Sequence, residues 1–282
     1  MADQLIISTM SREELDIAID WAAQEGWNPG LQDGNSYFTA DPQGFLIGRV
    51  DGSPVATISV VRYGDFGFLG FYIVHPEWRG RGHGWTIWQA GMRRLAGCNV
   101  ALDGVVAQQD NYRKSGFRLA WRNMRFEGFG RGVGTAPDAR IVPLSGVSFD
   151  DYAAWDRAFF PAERPAFQRA WITQPGATAL GLVEHGRLAG HGVIRPCRKG
   201  WKIAPLCAAR PELAEALFAA LIAQVPAGEP YYLDVPETNP AAVALAGRHG
   251  MQLSFETARM YTGPAPELPI ERIFGITSFE IG

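Results

Sequence analysis

The residues with the most chemistry in their types and spacing are Ile73-Val74-His75-Pro76-Glu77-Trp78-Arg79-Gly80-Arg81-Gly82-His83-Gly84. The stretch leaves an apolar strand at a proline, crosses a basic turn with glycines at 80, 82 and 84, and reads as a helix from Gly84. Unpaired amides in a first helical turn, together with the helix dipole, favour an anion. Glycines in such a turn let a phosphate approach the backbone. Tyr112, within Asn111-Tyr112-Arg113-Lys114-Ser115-Gly116-Phe117, offers a phenol proton or packs as an ordinary aromatic. Glu25, Trp27 and Asp33 share one early loop. Its carboxylates either take up a proton or attract a cation, or they are solvated surface groups. Trp27 stacks on a cation or anchors the loop. His75 and His83 flank the turn without metal-ligand company and read as structural or phosphate-adjacent.

The elements that position these residues can be placed from pattern. Ser11 with Glu14 predicts a capping box opening a helix whose apolar positions are Leu15, Ala18, Ile19 and Ala22, and Gly26 ends it. Gly44–Val50 and Val55–Val61 read as strands joined by an Asp51-Gly52 turn. Phe66–Val74 is almost wholly apolar, as in a strand buried on both faces. The helix after the turn carries Trp85, Trp88, Gly91 and Leu95 at helical spacing and ends near Gly97. Strands follow at Val100–Asp103 and Arg122–Phe126.

A glycine-rich joint at 131–139 separates a first unit, 1–130, from a second, 140–282. The second unit echoes the first. Gly181–Ala189 resembles Gly48–Ala56, Arg195 follows Arg62 by 133 residues, Leu233-Asp234 follows Leu102-Asp103 by 131, and Gly250 follows Gly116 by 134. Echoes in one order at nearly one offset predict a duplicated fold. The second copy of the turn, Pro205–Glu212, has no glycines, so the phosphate site is expected in the first half alone.

Composition bounds the function. The 282 residues are 47% hydrophobic and 20% charged with net charge −3, which suits a folded globular chain and offers no basic field for nucleic acid. Three scattered cysteines predict neither disulfides nor a metal cluster. The chain starts without a signal-peptide pattern and has no run long enough to span a membrane, so the expected location is the cytoplasm.

Val74-x-Pro76 followed by Arg79-x-x-Gly82-x-Gly84, and Tyr112-x-Lys114-x-Gly116-Phe117 later in the chain, resemble the GCN5-related N-acetyltransferases (GNAT). Residues 1–130 resemble the active GNAT domain. The whole chain is similar to two-domain members with a degenerate, YitH-type C-terminal GNAT domain. The resemblance implies an α/β (α+β) fold of tandem GNAT units, each a mixed, mostly antiparallel sheet with a splayed central strand flanked by helices. It also implies acetyl-CoA as co-substrate. Ile73 and Val74 would pair with the pantetheine arm. Arg79, Gly80, Arg81, Gly82, His83, Gly84 and Trp85 would hold the pyrophosphate, with Asn111 also at the coenzyme. Tyr112 would protonate the departing thiolate as general acid. The function implied is transfer of an acetyl group to a primary amine of a small molecule, with Glu25, Trp27 and Asp33 at the acceptor and no metal. The alternative is a catalytically silent acyl-CoA sensor.

Overall fold

The computed structural model describes residues 4–132 and 138–282; residues 1–3, and 133–137 within the joint, lie outside the described residues. The first half runs β1 (Ile6–Thr9), α1 (Leu15–Gln24), α2 (Asp33–Ala40), β2 (Phe45–Val50), β3 (Ser53–Tyr63), β4 (Phe66–Val74), α3 (His83–Arg94), β5 (Asn99–Val105), α4 (Gln109–Lys114) and β6 (Arg118–Phe129). The second half runs β7 (Ile141–Pro143), α5 (Phe149–Asp156), α6 (Pro165–Ile172), β8 (Thr178–Glu184), β9 (Arg187–Pro196), β10 (Trp201–Ala208), α7 (Pro211–Ile222), β11 (Pro230–Pro236), α8 (Pro240–Arg248), β12 (Gln252–Tyr261) and β13 (Ile273–Gly275). From β2 to β6 and from β8 to β12 the order of strands and helices is the same.

Local chemistry explains most of these elements. The Ser11 amide donates to Glu14 Oε2 (2.8 Å) and the Glu14 amide to Ser11 Oγ (3.2 Å), which closes the capping box. Leu15, Ala18, Ile19 and Ala22 are all buried, and Gly26 leaves α1 at φ +81°. The two hairpin turns repeat in backbone: Asp51 and Gly52 at φ +48° and +80°, His185 and Gly186 at +51° and +74°. Two successive left-handed residues are what a type I′ turn requires.

One helical face differs from the pattern read in the sequence. On α3 the buried residues are His83, Ile87, Trp88 and Gly91, while Trp85 is 57% exposed. Trp85 lies on the far side of the helix from Ile87, because two residues turn a helix by about 200°. Gly91 is where α3 comes closest to the sheet: a Cβ there would meet Val60 Cγ1 at 2.7 Å.

The halves are joined by strand exchange. A single sheet runs β1-β2-β3-β4-β5-β12-β6-β11-β10-β9-β8-β7, with β13 on β10. β12, from the second half, lies antiparallel between β5 and β6, and β6, from the first half, lies antiparallel against β11. Each half gives the other its last long strand. The exchange carries a charge at both crossings. Arg259 on β12 makes a forked pair with Asp103 on β5 (2.8 and 2.6 Å), and Arg125 on β6 makes the same pair with Asp234 on β11 (2.7 and 2.8 Å). These groups are buried, so a strand placed out of register would leave an unpaired charge inside the sheet.

Both halves also contain one parallel pair that splits. β4 and β5 pair only over Phe66–Leu69 with Asn99–Leu102. β10 and β11 pair only over Trp201–Ile203 with Tyr231–Leu233. In the second half the wedge is filled. β13 pairs antiparallel with β10 at Leu206 and Cys207, beyond the split, and the Ile276 amide donates to the Asp234 carbonyl (2.9 Å). A Cβ on Gly275 would meet Leu233 Cδ1 at 2.6 Å, so little space is left. Among the described residues, no helix is long and apolar enough to cross a membrane.

Candidate active site

In the first half the wedge is open. β3 and β4 pair Thr57 with Ile73 and Ser59 with Gly70, so β4 carries a residue more than its partner. Phe71 takes up the bulge at φ +43°, and Thr57 Oγ1 donates to its carbonyl (2.9 Å). A bulge bends its strand, and here it directs β4 away from β5. Between them lies a cavity of about 360 Å³, walled by β4 from Leu69 to Val74, β5 from Leu102 to Val105, and Tyr112. Glu25 and Trp27 close one side; Phe255, Thr257, Phe279 and Glu280, all from the second half, close another. A second cavity of about 370 Å³ lies toward α3 and α4, walled by Trp85, Trp88, Asn111 and Lys114 among others. Tyr72, Gln108 and Tyr112 wall both cavities.

Tyr112 is held firmly. It is 8% exposed, stacks on Trp88 (ring centroids 5.7 Å) and crosses β5 at Gly104, where any Cβ would overlap its ring. Burial, with Tyr72 adding to it, pushes its phenol up to about 12. Such a group keeps its proton at neutral pH and can donate it.

The three glycines of the turn differ in backbone and surroundings. Gly80 and Gly82 stand at φ +79° and +87° with open space where a Cβ would be, whereas Gly84 packs: a Cβ there would meet Tyr72 Oη at 2.9 Å. Gly82 is the N-cap of α3 and no side chain caps the helix, which leaves the first-turn amides available to a ligand. His83 is buried, and its Nε2 has no partner among the described residues. The Arg81 guanidinium lies over Trp78 (4.7 Å). Arg79 reaches inward: its Nε donates to the Val74 carbonyl (3.0 Å) and its Nη2 to Glu25, bracing the end of β4 against the end of α1. Asn111 donates to Gln108 Oε1 (2.7 Å).

The early loop is docked on the second half. The Leu31 amide donates to the Pro196 carbonyl, the Arg198 amide to the Pro29 carbonyl and the Lys202 ammonium to the Asn28 carbonyl (2.8 Å), while Arg125 Nη1, from β6 of the first half, donates to the Trp27 carbonyl (2.7 Å). Of the three loop residues, Glu25 and Trp27 line the cavity. Asp33 does not. It is 1% exposed, takes a forked pair from Arg195 (2.6 and 2.9 Å) and accepts from the Gly30 amide (2.8 Å). Burial opposes its ionisation, but the Arg195 guanidinium outweighs it and holds the carboxyl below its usual range. The loop reading placed Asp33 at the acceptor; its charge is consumed in joining the halves.

Glu280, like Phe255, Thr257 and Phe279, is a cavity residue that sequence pattern did not find. It is 4% exposed, and its Oε2 lies 3.0 Å from the Tyr37 hydroxyl and 2.8 Å from the Ser278 hydroxyl. A Cβ on Gly70 would overlap its main chain, so it sits directly against the split of β4. No motif marks it; only the path of residues 276–282 back across the first half brings it here.

Comparison with known proteins agrees with this architecture. The family model described as "Acetyltransferase (GNAT) family" matches residues 11–117, and that described as "Acetyltransferase (GNAT) domain" matches 153–275. Holothin acyltransferase of Pseudoalteromonas sp. (strain SANK 73390) is 31% identical over 273 residues, covering 96% of this chain and 92% of its own. A putative acetyltransferase from Pyrococcus horikoshii shares the fold with TM-score 0.83 at 19% identity, over 99% of this chain and 96% of that one. A tandem GNAT protein from the clavulanic acid biosynthesis pathway does so with TM-score 0.64 at 15% identity, over 93% and 100%. With two GNAT domains, an open wedge between β4 and β5, and an acyltransferase relative along nearly its whole length, this chain belongs to the GNAT family of acyltransferases.

Proposed function

We propose that the protein transfers an acetyl group from acetyl-CoA to the primary amine of a small molecule. Residues 1–130 would carry the transfer, and 140–282 would shape the acceptor side. The observation that supports this best is the position of Tyr112 in the wall shared by the two cavities. One cavity is lined by Trp85, in the uncapped first turn of α3, and the other is closed by Trp27, Phe255 and Phe279.

The chain fits coenzyme A on its own chemistry. Amides from Arg79 to Trp85, at an uncapped helix start with left-handed Gly80 and Gly82, suit a pyrophosphate. The buried, unpartnered His83 Nε2 in the same turn suits an anion as well. Ile73 and Val74, on the strand edge freed by the split, would hold the pantetheine arm by main-chain pairing, with Asn111 and the exposed Trp85 beside it. Acetyl-CoA supplies the activated thioester. Tyr112 would donate its proton to the departing sulfur, and its raised pKa keeps that proton available. Trp27 and Phe255 offer flat faces to the acceptor. The relative named for holothin suggests that molecule as the first to try. The three free cysteines suit a reducing cytoplasm.

The test is thiol release from acetyl-CoA over a panel of amines that includes holothin. Turnover with at least one amine is expected. Acetyl-CoA binding without turnover by any amine would sink the transferase reading.

A further inference from the structure

Three carboxylates line the cavity: Glu25, Asp103 and Glu280. Glu25 is paired with Arg79. Asp103 takes the forked pair from Arg259 and a further bond from Asn123 (2.7 Å). Among the described residues Glu280 has hydroxyl donors only, both on Oε2. It is the cavity carboxylate whose charge is not already matched by a cation in contact with it.

Its partner Tyr37 has a second contact. The Tyr37 hydroxyl lies 3.0 Å from Glu280 Oε2 and 3.2 Å from Asp33 Oδ2, with one proton to give. When Glu280 is ionised, Tyr37 donates to it. When Glu280 is protonated, it can donate to the Tyr37 oxygen while Tyr37 turns its own proton to Asp33. Arg195 keeps Asp33 ionised and ready to accept. Glu280 Oε2 therefore stays hydrogen-bonded to Tyr37 in both charge states, and no side-chain bond among the described residues occupies Oε1.

We infer that Glu280 is the general base of the transfer, taking the proton from the acceptor's ammonium group, with Tyr37 and Asp33 as the relay that accommodates it. The inference rests on the transferase reading above. The acceptor enters as its cation and Glu280 takes one proton, which frees the nitrogen lone pair. That lone pair forms the C–N bond to the acetyl carbon as the C–S bond breaks onto sulfur. Tyr112 gives its proton to the sulfur, the second N–H proton restores Tyr112, and Glu280 returns its own to solvent. The ligand class that follows is a basic amine, cationic at neutral pH, carried on a flat apolar body that fits between Trp27 and Phe255.

The charged and titratable groups that act on Glu280 are Tyr37 from α2, Arg125 from β6 and Lys202 from β10, and Asp33 reaches it through Tyr37. Glu280→Gln keeps the size of the side chain and removes the base. With any amine that wild type acetylates, this variant is expected to lose about 100-fold or more in kcat and to lose the acid limb of the pH–rate profile. Its acetyl-CoA affinity by calorimetry should stay as in wild type. Tyr37→Phe leaves the base but removes a donor to its ionised form, so the acid limb should move to higher pH. Wild-type kcat with an unchanged acid limb in Glu280→Gln would overturn the inference. The transferase reading can fail separately, through a wild-type chain that binds acetyl-CoA and turns over no amine. A binding arm then decides on Glu280. Tryptamine, a cation at pH 7, should bind wild type about 10-fold or more tightly than Glu280→Gln. Equal affinities, including no binding to either, overturn the assignment.

Discussion

At the scale of single residues, burial decides what each polar group can do. The Tyr112 motif is legible in the sequence, but its placement depends on the Trp88 stack and the absent side chain at Gly104, and the proton-donor role proposed for it depends on that placement. Tyr112→Phe should lower kcat by about 10²–10⁴ and leave acetyl-CoA affinity unchanged, as measured by steady-state kinetics with calorimetry. Because its phenol sits near 12, the wild-type profile should show no alkaline limb from Tyr112 below about pH 11. Asp33 shows the reverse case, a plausible surface acid in sequence that is buried on Arg195. Its carboxyl is depressed in the folded state, so its contribution is present above the unfolded value of 3.8 and is lost as pH falls through the folded one. Asp33→Asn should cost about 3–5 kcal/mol in urea unfolding at pH 7, because it strands a buried guanidinium. Part of the wild-type loss of stability in acid should be missing from that variant.

At the scale of elements, periodicity and turn chemistry were enough for α1, the hairpin turns and β4. They fail on one face of α3: the spacing groups Trp85 with Trp88 and Gly91, whereas the buried stripe is His83, Ile87, Trp88 and Gly91. Any tryptophan reads as core by hydrophobicity, and the direction of a helix face is fixed only by what it packs on. The echoes between halves located strands correctly and gave no indication that their last strands change places. The forked pairs at the two crossings supply a physical reason for that pairing, and they predict an asymmetry. Asp234→Ala should destabilise the protein by about 3–5 kcal/mol by chemical denaturation, since Arg125 remains buried without its partner. Replacing both with apolar residues, Arg125→Met with Asp234→Leu, should cost much less than the single change. A double variant as unstable as the single would show that the shape of the pair matters more than its charge.

At the scale of the whole molecule, the exchange builds one active cavity from two copies of a fold. The second copy's wedge is closed by β13, and the segment that follows β13 goes on to deliver Phe279 and Glu280 to the first. The same segment thus fills one opening and furnishes the other. Charge is concentrated where the halves meet. Lys202 on β10 donates to the Asn28 carbonyl (2.8 Å), and burial, with Arg125 next, pushes its ammonium down to about 8. Folded Lys202 therefore releases its proton near pH 8 and the unfolded residue near 10.5, so the unfolded chain binds more protons between those values. Its contribution to stability rises with pH across that window. Lys202→Met should remove the rise, seen as a flatter difference in unfolding free energy between pH 8 and 10.5. An identical pH dependence in the two proteins would contradict a depressed lysine.

By itself the sequence determined what lies within a few turns of chain: the capping box, the paired left-handed hairpin residues, the glycine turn after β4, the tyrosine motif and the repeat of the whole pattern. These depend on backbone φ/ψ preferences and on side-chain periods of 2 and 3.6, which need no distant partner. Only the tertiary structure decided which strand stands beside which, which carboxylate is paired with a guanidinium and which is not. Tyr37 and Glu280 are 243 residues apart, Asp33 and Arg195 are 162 apart, and Arg125 and Asp234 are 109 apart. Pairs at such separations are selected by the cost of burying an unmatched charge or strand edge, and that cost exists only once the whole chain has packed.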